Sequence, residues 1–135
     1  MARKARISTA IEGLLAQGER HAWTLEDLQA GLAGSGTPAD FSSIFRAAER
    51  LMARGVLRKL LPVDGRARFE LATMHHDHLH CAGCDQLVPV PCVIDRATCS
   101  TLEAEAGISI REHRIIFSGL CPSCREGSAA RGNRG

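Results

Sequence analysis

Apolar positions along the first half of the chain recur at helical spacing, then give way to two short extended runs. Ile7, Ala10, Ile11, Leu14 and Leu15 form one helical stripe, interrupted at Gly18-Glu19. A second helix is predicted from Thr24, with Asp27 three residues on completing a capping-box pattern; it carries Leu25, Leu28 and Leu32 and stops at Ala33-Gly34. Turn chemistry follows at Ser35-Gly36-Thr37-Pro38. Asp40 then caps a third helix over residues 41–54, which Gly55 ends. The expected buried face of that helix is Phe41, Ile44, Phe45, Ala48, Leu51 and Met52, with Arg46, Arg50 and Arg54 four apart on the other side. Residues 56–63 and 66–71 read as strands flanking Asp64-Gly65, a two-residue hairpin signal, and Pro62 suggests an edge strand. Short helices, a Gly-containing linker, an Arg-faced helix and a hairpin made basic by Arg58, Lys59, Arg66 and Arg68 predict a winged helix-turn-helix.

The second half predicts a β-α-β unit. Residues 78–81 and 87–90 are short strands, Asp95 caps a helix through Ala106 that Gly107 ends, and residues 108–118 alternate as one long strand. The expected organisation is α+β: a winged-helix domain over residues 1–72, a metal-binding dimerisation domain over 73–124, and a disordered tail over 125–135, rich in Gly, Ser, Ala and Arg.

Composition sharpens this. The 135 residues are 44% hydrophobic and 24% charged, globular in class, and suffice for one ordinary domain or two with thin cores. Net charge is only +2, but residues 1–72 carry eleven Lys and Arg against eight Asp and Glu, while residues 73–135 carry six against seven. Most of the cations are Arg, suited to bidentate contacts with phosphate and guanine. The start, Met-Ala-Arg-Lys-Ala-Arg, shows no apolar signal segment, and no apolar run approaches the ~18 residues that span a bilayer. A cytoplasmic location is expected, with no membrane partner. In that setting paired Cys-x-x-Cys binds metal more readily than it oxidises.

Two such pairs, Cys81/Cys84 and Cys121/Cys124, are present. Each forms a knuckle with two sulfurs aimed at one centre, and two knuckles complete the tetrahedron of a structural Zn2+. A redox dithiol at Cys121-Pro122-Ser123-Cys124 fits less well: that motif should follow an early strand and open a helix, whereas here it sits at the end of the fold and has a matching partner pair. A zinc deaminase would need His-x-Glu, which does not occur. Directly before Cys81 runs His75-His76-Asp77-His78-Leu79-His80. On a strand, His76, His78 and His80 share one face and His75, Asp77 and Leu79 the other, so one run can feed two sites. The bland alternative is a solvated polar strand. Glu70 is near in sequence, His113 on the long strand could meet His75 and Asp77, and His21 precedes the second helix. Cys92 and Cys99 lack partners at Cys-x-x-Cys spacing and read as small buried apolar residues, with Cys92 alternatively a soft ligand.

These residues resemble the ferric uptake regulator family of metal-dependent bacterial repressors. The matching stretches are Leu25-Glu26-Asp27-Leu28, Ser42-Ser43-Ile44-Phe45-Arg46, Asp64 through Leu71, the His75–Cys84 run and Cys121-x-x-Cys124. The resemblance implies a winged-helix DNA-binding lobe, a β-α-β dimerisation lobe and a homodimer on a double-stranded operator. It implies structural zinc on Cys81, Cys84, Cys121 and Cys124. A regulatory Fe2+ or Zn2+ would bind Glu70, His76 and His78 with a His ahead of the second helix; His21 is the candidate, since the family's hinge position falls at Ala22. His75, Asp77 and His113 match an additional site, whose helix carboxylate would align with Arg96. Ser43, Phe45, Arg46, Arg50, Lys59 and Arg66 are the expected DNA contacts, with Phe45 where the family often has Tyr. Pro89 stands where peroxide-sensing members need Asp, and Glu70 where zinc-uptake members often have Cys. The expected function is a metal-responsive repressor of metal-homeostasis genes, iron-type favoured over zinc-uptake-type, and not an enzyme. The remoter alternative is a small zinc-dependent hydrolase at the His-rich site, which would leave the winged helix without a role.

Overall fold

A computed structural model describes residues 2–130 except Glu19 and Val63. The chain divides into two compact units between Met74 and His75.

The first unit packs α1 (Arg3–Ala16), α2 (Leu25–Gly34) and α3 (Phe41–Ala53) against a hairpin of β1 (Leu57–Leu60) and β2 (Arg68–Leu71). Its core joins Ile7, Ile11, Leu14 and Leu15 of α1 to Leu28 and Leu32 of α2, Ile44, Ala47, Ala48 and Leu51 of α3, and Trp23, Leu57 and Phe69. Local chemistry sets the helix starts. The Thr24 hydroxyl accepts from the Asp27 N–H at 3.1 Å and the Asp27 carboxylate accepts from the Thr24 N–H at 3.0 Å, a complete capping box. Asp40 accepts the Ser43 N–H at 2.8 Å. β1 and β2 pair antiparallel from Leu57 opposite Leu71 to Leu60 opposite Arg68. Trp23 adds an isolated bridge to Phe69 through two backbone hydrogen bonds of 2.9 and 2.7 Å, and so ties the segment before α2 to β2.

Three expectations change here. Phe41 and Phe45 are 45% and 46% exposed. The buried stripe is Ile44, Ala47, Ala48 and Leu51, at the i, i+3, i+4, i+7 spacing of one helix face, and both aromatics fall outside it. The hairpin connection is longer than two residues. Asp64-Gly65 sits at its tip, where Gly65 takes φ 77° and donates to the Pro62 carbonyl at 2.9 Å. The upstream strand expected to reach Val63 stops at Leu60, and Val63 itself lies outside the described residues.

In the second unit, β3 (Asp77–Cys81) is central, with β4 (Leu87–Val90) antiparallel on one side and β5 (Ile116–Gly119) parallel on the other. The crossover carries α4 (Arg96–Ala106), capped by Asp95 on the Thr98 N–H at 2.8 Å and closed by Gly107 at φ 72°. The expected long strand over residues 108–118 is reduced to β5. The Ile110 N–H donates to the Glu103 carboxylate at 2.7 Å and the Ile115 N–H to that of Asp77 at 3.2 Å, so side chains take amides that a strand ladder would need. Within the expected tail, residues 125–130 continue α5 (Pro122–Ala130). Pro122 at the first helical position presets the backbone and lacks only an N–H that no helix uses there. Residues 131–135 lie outside the described residues.

The second unit has little apolar core. Among the described residues its buried hydrophobics are Cys81 and Leu87, beside the buried polar Asp77, His78 and His80. Leu79, Val88, Leu102, Ile108, Phe117 and Leu120 are exposed.

Candidate metal centres and nucleic-acid interface

The two Cys-x-x-Cys knuckles converge. The first lies between β3 and β4: Cys81 accepts at its carbonyl from the Asp85 N–H at 2.8 Å, and Asp85 takes φ 63° to close the turn. The second lies at the β5–α5 junction, and the Cys121 N–H donates to Cys81 Sγ at 3.3 Å. Ligand atoms of all four cysteines lie within 4.8 Å of one another, with Cys84 and Cys121 sulfurs 3.9 Å apart. Zinc–sulfur bonds of about 2.3 Å at tetrahedral angles place sulfurs roughly 3.8 Å apart, so the cluster fits Zn2+. A Cβ on Gly83 would stand 2.7 Å from Cys124 Sγ, so only glycine lets this sulfur approach the knuckle. The ionisation pattern agrees. The Cys121 N–H, then that of Cys84, holds the Cys81 thiol down to about 6. Cys124, crowded first by Cys121 and then by Cys81, is pushed up to about 12. Crowded thiolates repel, and a divalent cation among them removes that repulsion.

In the first unit, β2 and the Trp23 bridge bring His21 to Glu70, with Nε2 to Oε2 at 2.5 Å. Glu70 is 1% exposed and its other oxygen faces Arg58 at 3.4 Å, while Arg58 also donates to the Thr73 carbonyl at 3.0 Å. In the second unit His76 and His78 stack with ring centroids 4.7 Å apart. His80, on the same alternation, instead meets Asp85 at 3.2 Å.

The second unit also gathers His75, Asp77 and His113, and a fourth residue that the sequence reading left outside its ligand sets, Cys92. His75 and His113 Nε2 are 2.9 Å apart, Asp77 Oδ1 and Oδ2 lie 3.7 and 3.6 Å from His75 and His113, and Cys92 Sγ is 3.3 Å from His113. The available signal was an unpaired cysteine just ahead of a helix whose expected carboxylate position holds Arg96.

On α3, Phe41, Phe45 and Arg46 are exposed, and Ser43 and Arg50 are half-buried. The basic hairpin is narrower than its composition. Arg68 is buried, held by two 2.8 Å bonds to the Asp64 carboxylate and one of 2.7 Å to the Arg66 carbonyl. Arg58 faces Glu70. Lys59 and Arg66 remain exposed on the wing.

A winged-helix unit followed by a small β-α-β unit with a four-cysteine cluster defines a metal-binding protein of DNA-binding fold. The profile of the Ferric uptake regulator family matches residues 4–118, most of the chain, and the chain belongs to that family. It is 31% identical over 83 residues to the transcriptional regulator FurA of Mycobacterium tuberculosis, covering 61% of this chain and 56% of that protein. It is 26% identical over 116 residues to the ferric uptake regulation protein of Escherichia coli, covering 84% and 78%. The structure of the Helicobacter pylori ferric uptake regulator, described as having three functional metal binding sites, superposes with a TM-score of 0.76 at 16% identity, covering 89% of this chain and 80% of that one. At that identity the likeness is one of fold. The match to FurA spans little more than half of that relative's length.

Proposed function

We propose that this chain is a metal-responsive transcriptional regulator acting as a homodimer on double-stranded operator DNA. The observation that carries the reading is the outer face of α3, where Phe41, Phe45 and Arg46 stand exposed beside the core-facing stripe of Ile44, Ala47, Ala48 and Leu51. An amphipathic helix that leaves aromatic and guanidinium groups exposed matches an element entering a major groove, with Arg46 on guanine and Phe45 on thymine methyls. Ser43 and Arg50 extend that surface, and Lys59 and Arg66 contact phosphates from the wing. Structural Zn2+ sits on Cys81, Cys84, Cys121 and Cys124. A second, exchangeable divalent ion binds His21 and Glu70 of the first unit together with His76 and His78 of the second, and favours the DNA-competent state. Glu70 in place of a cysteine, and the likeness to the ferric uptake regulation protein of Escherichia coli, favour Fe2+ over Zn2+. The exposed apolar residues of the second unit supply a dimer surface. Repression of metal-homeostasis genes and a cytoplasmic location belong to the same proposal; among the described residues no helix is long and apolar enough to cross a membrane. The hydrolase alternative is set aside, because the relatives are regulators and the winged helix would have no part in it.

Arg46→Ala is expected to weaken operator binding by roughly 1–3 kcal/mol and relax sequence preference. Neutralising Lys59 or Arg66 instead weakens binding to every sequence and flattens its salt dependence, because phosphate contacts release counterions without reading bases. Binding of each variant to operator and scrambled duplexes at two salt concentrations separates these outcomes. Wild-type operator affinity in Arg46→Ala would show that α3 is not the reader.

A further inference from the structure

Cys92 turns the additional cluster of the second unit into a site of different chemistry. Its half-buried side chain hangs from the connection between β4 and α4, with Sγ 3.3 Å from His113 Nε2. The other members are two imidazole nitrogens 2.9 Å apart and the carboxylate of Asp77. Asp77 is fully buried, and its Oδ2 has no hydrogen-bond partner although it points toward His113 at 3.6 Å. A buried carboxylate oxygen left unpaired is costly, and a cation beside it removes the cost. The spacing is that of ligands on one ion: tetrahedral zinc with about 2.0–2.1 Å bonds to nitrogen and 2.3 Å to sulfur sets donors roughly 3.3–3.6 Å apart. Arg96, at the start of α4, is exposed and cannot supply a carboxylate.

We propose that His75, Asp77, His113 and the thiolate of Cys92 form a closed four-coordinate site that selects Zn2+ over Fe2+ and Mn2+. Binding deprotonates the Cys92 thiol, and the proton leaves to solvent. Carboxylate and thiolate together then balance the charge of the divalent ion. A soft sulfur with two imidazoles in a tetrahedral frame suits zinc, whereas Fe2+ and Mn2+ sit lower in the affinity order and accept harder, more numerous ligands. Four protein donors leave no open position, so the ion stabilises structure around the start of the second unit.

The test uses full-length protein with zinc retained on the four-cysteine cluster, titrated with Co2+ as a spectroscopic stand-in. Wild type should develop a sulfur-to-cobalt charge-transfer band without releasing zinc. Cys92→Ser should lose that band and bind the ion at least 10–100-fold more weakly, the loss that even an outer partner of a zinc ligand produces. Cys99→Ser should behave as wild type. A band that survives in Cys92→Ser, or grows only as zinc is released, overturns the proposal. A second measurement guards against misfolding of the variant: in wild-type protein Zn2+ should slow alkylation of Cys92 at least tenfold and leave Cys99 unchanged. Equal Cys92 rates with and without zinc also overturn it. Neither readout involves DNA, so the outcome is independent of the regulatory reading.

Discussion

Replacing Cys81 or Cys124 by Ser should release about one zinc per chain and unfold the second unit. The size of this effect follows from how little else holds that unit together. Among its described residues the buried hydrophobics are Cys81 and Leu87, and Cys81 is itself a ligand. The knuckles join β3 to the start of α5, closing a loop of some forty residues that contains β4, α4 and β5. In small zinc modules the binding free energy is folding free energy, on the order of 10 kcal/mol, several times what a single apolar contact contributes. Zinc analysis of the purified variants, with hydrogen exchange across β3, β4 and β5, checks this. Full zinc content and unchanged protection in Cys124→Ser would remove the cluster from the account.

His78→Ala should leave that zinc in place and abolish the metal dependence of DNA binding. Buried His78 lies beside half-buried His76 in the second unit, and buried Glu70 beside half-buried His21 in the first. Loss of one ligand from such a set should weaken the exchangeable ion by more than the ~10–100-fold that outer-shell changes cost. His78→Gln, closer in volume, separates ligand loss from a cavity in a thin core, and Glu70→Gln tests the other half. Arg58, 3.4 Å from Glu70, keeps the glutamate carboxylate paired when metal is scarce, so apo protein should remain folded. Wild-type DNA affinity of His78→Gln at limiting metal would reject the ligand assignment.

Periodicity and caps made α1 to α4 legible, because capping residues and apolar stripes act locally, whereas α5 runs into residues expected to be a disordered tail. Thr24, Asp27, Asp40, Asp95 and Gly107 all occupy cap positions that need only their own neighbours. Long-range hydrogen bonding was not legible. Residues 108–115 alternate like a strand, yet the carboxylates of Glu103 and Asp77 take two of their amides. Arg68 counts as a wing cation in composition, but its charge is spent on Asp64 within the hairpin. Phe41 and Phe45 look like core residues to any hydrophobicity pattern, and only the packing of Ala47 and Ala48 shows that the core needs neither. The cysteine knuckles announced themselves by spacing. Cys92 did not, because its partners lie far away in sequence, and the buried, unpaired Oδ2 of Asp77 becomes visible only in three dimensions.

The most direct test of the central claim is the DNA affinity of zinc-clamped protein measured with and without added Fe2+, Zn2+ or Mn2+, at one salt concentration, on a duplex selected from a random library and on its scrambled counterpart. A metal that prefers the DNA-competent state should tighten binding to the selected duplex by about 5–150-fold, the usual range of coupling between two sites, with a far smaller change on the scrambled duplex. Equal affinity for the selected duplex at every metal concentration would contradict a metal-switched regulator.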